Sequence, residues 1–143
     1  MISPGISLSW LSEFISQITA PISTKPANSL NRTIHIPGTL AANIVATLTM
    51  PQDCRLVQVS AVASNDSAAT LMLGISTDTD SILAAAAIGD SGTPVVFDSD
   101  IWAATNPTGR LYAGDVLVVT LDFDGASGTA AQNVTIDLDF LEG

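Results

Sequence analysis

Residues 109–143, GRLYAGDVLVVTLDFDGASGTAAQNVTIDLDFLEG, decide the fold. In the first half Leu117, Val119, Leu121 and Phe123 alternate with Val118, Thr120, Asp122 and Asp124, a period of two that sends the large apolar groups to one face of a strand. The second half repeats the device, with Val134, Ile136, Leu138 and Phe140 on one side and Thr135, Asp137 and Asp139 on the other. The spacer GASGTAAQN is small and polar, and Gly125 and Gly128 are free to take positive φ. The two runs are therefore expected to form one antiparallel pair, each with a packed face and a wet, acidic one.

Working upstream, short runs of the same kind recur between turn signals. Ile34 and Ile36 alternate with Thr33 and His35 before Pro37-Gly38; Ile44, Ala46, Leu48 and Met50 alternate with Val45, Thr47 and Thr49. In LVQVSAVA, residues 56–63, Val57, Val59 and Ala61 form the expected inner set, and Leu71, Leu73 and Ile75 form the next. SILAAAAI, residues 81–88, is alanine-rich, and alanine favours helix over strand, so a short helical or irregular crossing is expected there. Residues 93–98 and 109–112 read as further strands, separated by a long loop that holds Trp102. About eight strands without alternating helices predict an all-β, eight-stranded antiparallel β-sandwich of jelly-roll-like form.

The period changes near the start. Trp10, Leu11, Phe14, Ile15 and Ile18 fall at helical spacing, with Ser12, Glu13, Ser16 and Gln17 opposite, Ser9 placed to cap and Pro21 to stop the run. Three turns are too short to be stable alone in water, so the apolar face needs a surface to rest on. The connector PISTKPANSLN joins this segment to the rest, which divides the chain into an N-terminal amphipathic arm and linker, 1–30, and a β-sandwich domain, 31–143. The arm either packs on its own domain or docks on a neighbouring subunit.

The 143 residues suffice for one domain with a real core. Apolar residues make up 47% and charged ones only 13%, too hydrophobic for disorder and suggestive of a surface covered by another protein. The formal charge is −10, with Lys25, Arg32, Arg55 and Arg110 as the only cations. Phosphate backbones and anionic bilayers are repelled, so neither nucleic acid nor membrane is expected as a partner. Cys54 is the only cysteine, which excludes an internal disulfide and a cysteine-built zinc site. The first residues lack the positive start of a secretory signal, and no run reaches the roughly 20 apolar residues of a membrane helix, so synthesis in a cytoplasm is expected.

Several residues invite a chemical reading. Residues 89–94, GDSGTP, look like the GDSGGP of chymotrypsin-like serine proteases, with Ser91 as nucleophile and His35, the only histidine, as base. Against this, His35 sits in the alternating run TIHI, Thr93 replaces the second motif glycine, and Gly, Asp and Ser are turn residues in their own right. Asp122 with Asp124, Asp137 with Asp139, and Asp98 with Asp100 share strand faces, which suits solvated faces better than a two-carboxylate hydrolase. TDTD, residues 77–80, offers oxygen ligands for calcium without EF-hand spacing, and nothing calls for a cofactor. Trp102, Arg110 and Tyr112 form a candidate ligand patch, Trp for stacking and Arg for a bidentate contact. Cys54 reads as a small apolar residue opening a strand. Asn31, Asn65 and Asn133 match the glycosylation pattern, which acts only in a eukaryotic secretory pathway.

An alanine-rich, lysine-poor, acidic all-β chain with an apolar arm, and an AGD turn (113–115) leading to LVVTLDFDG (117–125) and NVTIDLDF (133–140), resembles the decoration, or cement, proteins of tailed bacteriophages. The resemblance spans 31–143 in style and the arm in plan. It implies a jelly-roll domain that assembles as a homotrimer and binds the major capsid protein on the outside of the virion. It also implies a non-enzymatic stabilising role, with Ile6, Leu8, Trp10, Leu11, Phe14, Ile15 and Ile18 of the arm as partner-binding residues. A trimeric receptor- or glycan-binding domain of a tail fibre or spike is the alternative from another class, and a serine protease the third.

Overall fold

The computed structural model describes residues 29–143, which form nine strands and no helix. They are β1 (Ser29–Thr39), β2 (Ile44–Thr49), β3 (Cys54–Val62), β4 (Thr70–Ile75), β5 (Asp78–Ala87), β6 (Val95–Asp98), β7 (Arg110–Leu111), β8 (Val116–Asp122) and β9 (Gln132–Glu142). One sheet runs β1-β9-β3-β6, with β7 also on β3; the other runs β2-β8-β4-β5. Because β9 occupies the other side of β3, β6 on Gln58–Ala61 and β7 on Cys54–Arg55 share a single strand position. The nine strands thus fill eight positions.

The pairing is nested. β1 pairs with β9, β2 with β8, β3 with β6 and β7, and β4 with β5, all antiparallel. The chain is a long two-stranded ribbon, doubled back at the β4–β5 turn and wrapped so that successive parts of the ribbon fall in alternate sheets. This is an antiparallel β-sandwich, as the alternation leads one to expect, with nine strands where eight were expected. Leu56, Val59, Leu138, Ile136 and Phe140 from one sheet meet Leu71, Leu73, Leu117, Val119 and Leu121 from the other in a dry core. Burial of such side chains contributes roughly 1.5–3 kcal/mol each.

The structure departs from the sequence reading in five places. The two alternating runs do not pair with each other: β8 lies between β2 and β4, β9 between β1 and β3, so both are central strands with no free edge. Residues 123–131 cross from one sheet to the other, pinned by Ala131 N–H to the Phe123 carbonyl at 3.2 Å, and positive φ falls on Asp124 and Asn133 instead of Gly125 or Gly128. Residues 81–87 are strand, since Ile82 and Leu83 are buried and Ala86 and Ala87 pair with Leu71 and Thr70; core contact overrides alanine's local preference. In β3 the register shifts between Leu56 and Gln58, so Val57 is a bulge residue and Leu56, not Val57, joins Val59 and Ala61 inside. Finally, β1 continues through Pro37-Gly38 to Thr39 across a second register shift.

Candidate functional site

The loop between β6 and β7 builds the most irregular part of the surface, and Trp102 explains its course. The indole, 7% exposed, fills the gap between the two half-strands and donates Nε1–H to the Leu56 carbonyl at 3.3 Å. The same gap faces the β3 bulge, where Leu56 N–H is taken by the Gly109 carbonyl at 2.8 Å. Gly109 has φ +67°, and a β-carbon there would collide with the Leu56 carbonyl and crowd Trp102 Nε1. Trp102 therefore lies in the core and does not line the surface that holds Arg110 and Tyr112.

Those two remain together at the surface. The Arg110 guanidinium lies 5.3 Å from the centroid of the Tyr112 ring and donates to the Gly143 carbonyl. Asn106 brackets Arg110, accepting its N–H at 3.0 Å and donating to its carbonyl at 2.8 Å, while Asp115 accepts Tyr112 N–H at 2.9 Å. Beside them opens a cleft of about 550 Å³ at one end of the sandwich, lined also by Asp78, Ser81 and Thr105. Tyr112 is 57% exposed at its rim. The cleft offers carboxylates, hydroxyls, an amide, one cation and one ring, a set able to hold a polar ligand by hydrogen bonds.

The remaining candidate groups hold the fold. His35 Nδ1 lies 2.9 Å from Thr135 Oγ1 on the face of β1 and β9. Ser91 sits in the two-residue turn Asp90–Thr93, closed by Thr93 N–H to the Asp90 carbonyl at 2.8 Å, with φ 51° at Ser91 and 81° at Gly92. Those angles are what a hairpin turn of type I′ demands, which accounts for the GDSG resemblance without catalysis. His35 pairs with Thr135, Thr135 with Val62, and Val62 bridges to Gly89, so three strand spacings, about 14 Å, separate His35 from Gly89, two residues before Ser91. The structure does not bring nucleophile and base together.

The carboxylates are similarly occupied. Asp137 accepts from Thr33 Oγ1, and Asp139 from Asn31 Nδ2 at 2.7 Å, so both brace β1 against β9. Asp98 and Asp122 each accept the N–H two residues on at 3.0 Å, and Asp124 accepts Ser127 Oγ at 2.6 Å. Asp78 and Asp80 share a hydrogen bond that raises the Asp78 carboxyl above its ordinary range. Among the described residues no group of three His, Cys, Asp or Glu side chains converges as a metal site would require. Cys54 opens β3, buried with Sγ 3.6 Å from Met50 Sδ, and burial pushes its thiol pKa up. Among the described residues no helix is long and apolar enough to cross a membrane. The arm residues Ile6, Leu8, Trp10, Leu11, Phe14, Ile15 and Ile18 lie outside the described residues.

Sequence reasoning missed the difference between the two outer faces. On the β1-β9-β3-β6 sheet the outward residues include Asp137, Asp139, Asp98, Arg55 and Arg110. On the β2-β8-β4-β5 sheet they are Val45, Thr47 and Thr49, Val116, Val118 and Thr120, Thr70, Met72 and Gly74, and alanines of β5. Carboxylates occur there only at the two ends, Asp122 and the Asp78–Asp80 start of β5. The signal was present in β8, whose second set, Val116, Val118 and Thr120, carries no charge before Asp122.

No family model and no curated protein matches the chain. Among solved structures it is similar to a chain of the Cyanophage Pam1 capsid asymmetric unit, at 13% identity and a TM-score of 0.48, over 99% of this chain and 100% of that one.

Proposed function

We propose that the protein is a non-enzymatic structural component of a phage virion that binds the outer surface of the assembled capsid and stabilises it. The observation that carries the reading is the nested-ribbon sandwich itself, whose polar side chains serve turns and cross-strand bonds instead of a reactive centre. It is the scaffold implied by the resemblance of AGD, LVVTLDFDG and NVTIDLDF to decoration proteins. The partners are the major capsid protein and sister copies in a homotrimer, with Ile6, Leu8, Trp10, Leu11, Phe14, Ile15 and Ile18 as anchors. A protein that binds the assembled shell but not free subunits lowers the free energy of the assembled state, by about 2.7 kcal/mol per site at a free concentration one hundred times Kd. A net charge of −10 on the coat would keep particles apart in solution.

The test is co-sedimentation with capsids and the heat resistance of the loaded particles. The full chain is expected to sediment with shells and raise their disassembly temperature, and a chain lacking residues 1–20 to fold with the same β-sheet circular dichroism but stay in the supernatant. Unchanged binding by the shortened chain would remove the arm from the contact, and no binding by either would remove the capsid role.

One observation favours a second reading, a receptor- or glycan-binding tail domain: the exposed Tyr112 ring beside the polar end cleft. That reading requires Tyr112→Ala to abolish binding to cells or a glycan array, and binding unaffected by the change would dismiss it.

A further inference from the structure

The two sides of the sandwich are not finished alike. On one side the edge strands are β6 with β7 and β5, and the loop between β6 and β7 closes it. Ala103 N–H reaches the Ile82 carbonyl at 2.6 Å, and Trp102, Phe97, Leu111, Ile82 and Leu83 are all buried. On the other side the edge strands are β1 and β2, each paired among the described residues on one flank alone, to β9 and to β8. Here the inward side chains, Leu30, Ile34 and Ile36 of β1 and Ile44, Ala46 and Leu48 of β2, pack on the core yet stay half-buried. Leu30 and Leu48 line one pocket of about 70 Å³ together with Met50 and Phe140. The β1/β2 side is thus an apolar slot with a sheet edge on each lip.

Charge sets this side apart. The chain has 14 acidic residues, and none of them lies between Glu13 and Asp53, so β1 and β2 carry a single ionised side chain, Arg32. Glu142, at the end of β9, lines the pocket together with Arg32, so the one carboxylate there meets a cation. Asp137 and Asp139, across from β1, accept from Thr33 and Asn31 on the outer face of the sheet. A second exposed apolar group, Val95, Val96 and Ile101 on β6 and the loop after it, is interleaved with exposed Asp98 and Asp100. Two bodies that each carry −10 repel where bare carboxylates meet, and the β1/β2 side is the apolar surface that avoids this.

Its dimensions fit a second copy. Pro37 and the register shift after Ile36 end the straight part of β1, which leaves Ser29–Ile36, about 27 Å of strand. Two sheets about 10 Å apart, with the side chains on their outer faces, make the side about 20 Å thick. The face is then roughly 500 Å² on each copy and about 1,000 Å² in total, the least that a specific interface between proteins buries. An open sheet edge is completed by another extended strand, and every copy brings the same pair of edges.

We infer that copies of this chain associate through the β1/β2 side of the sandwich, edge strand against edge strand, which covers the half-buried Leu30, Ile34, Ile36, Ile44 and Leu48. The inference deepens the sister-copy part of the proposed function and rests on it; binding to the capsid is a separate contact. Association completes a core that one chain leaves open on that side, and it keeps the carboxylates of β6 and β9 in water.

Light scattering on the full chain and two double variants tests this, with far-ultraviolet circular dichroism to confirm the fold. Arg32→Glu with Val45→Glu puts carboxylates at exposed positions of both edge strands, and Val96→Glu with Ile101→Glu puts the same groups on the second apolar surface. The parent is expected to be an oligomer, the first variant a single chain, and the second variant an oligomer of the parent's mass. Hydrogen exchange on the unmodified chain reads the same contact without a substitution: amides of residues 29–36 and 44–49 should exchange more slowly in assembled than in diluted, dissociated protein. An oligomer that keeps its mass with Arg32→Glu and Val45→Glu, or comes apart with Val96→Glu and Ile101→Glu, would overturn the inference and leave self-association standing. Equal exchange along β1 and β2 in the two states would do the same. A parent that is a single chain would remove the sister-copy reading and the inference together.

Discussion

Replacing Trp102 measures whether the β6–β7 loop is a ligand platform or a plug. At 7% exposure the indole is almost wholly removed from water. A tryptophan of this kind hides about 200 Å², which at about 25 cal/mol per Å² corresponds to about 5 kcal/mol as an upper estimate. Phenylalanine would keep the ring contact but bury about 50 Å² less, a loss of about 1 kcal/mol. It also removes the Nε1–H bond to the Leu56 carbonyl, worth about another 1 kcal/mol. Trp102→Phe is therefore expected to lower stability by about 2 kcal/mol and Trp102→Ala by about 3–5 kcal/mol. For a domain of this size each kcal/mol moves Tm by about 2–4 °C, so the Phe variant should melt about 4–8 °C below the parent. Urea and thermal unfolding followed by far-ultraviolet circular dichroism read both values. A Phe variant within about 0.5 kcal/mol of the parent would refute the plug, because neither the lost area nor the orphaned carbonyl would then count.

Three further outcomes follow from the same geometry. Gly109→Ala forces a β-carbon at φ +67° toward the Leu56 carbonyl and should cost about 2–4 kcal/mol by chemical denaturation; combined with Trp102→Phe the losses should not add, since both act on Leu56. Cys54 should resist alkylation in the native protein at pH 8, and its labelling rate in mild denaturant should track unfolding measured by circular dichroism; rapid native labelling would contradict its burial. Asp78 holds its proton more tightly folded than unfolded because of the shared bond with Asp80, so between the ordinary value of 3.8 and its raised native value this group's contribution to stability falls as pH rises. Asp78→Asn should thus be more stable than the parent at neutral pH, with the gap in Tm closing on acidification through that window; a gap independent of pH would dismiss the coupling.

Much of the architecture is legible locally. Ile44, Ala46 and Leu48 face inward from β2, Leu71 and Leu73 from β4, and every second residue from Val134 to Phe140 from β9, all as alternation requires. The failures are informative. Leu56 replaces Val57 inside because the β3 strand must bulge where Trp102 enters beside it, a demand set by residues 46 positions away. The serine of GDSG looks like a nucleophile in the sequence and is a turn residue in space, since φ 51° and 81° are the angles that close that hairpin. In the candidate patch Arg110 and Tyr112 stay paired at the end cleft, whereas the indole of Trp102 is turned inward by a bond to a carbonyl that no motif could reveal.

By itself the sequence determined that the chain is acidic and that residues 31–143 are built mainly of half-buried strands, because alternation and charge are properties of neighbouring residues. Which strands meet was decided only by the tertiary structure. Val116–Asp122 and Gln132–Glu142 are close in the chain and alike in pattern, yet each is claimed on both sides by other strands and they end in different sheets. The reason is that a strand's side chains specify a face and its backbone specifies nothing about a partner. Any extended segment offers the same N–H and C=O groups, so the partner is settled by which arrangement closes one core over all the apolar faces at once.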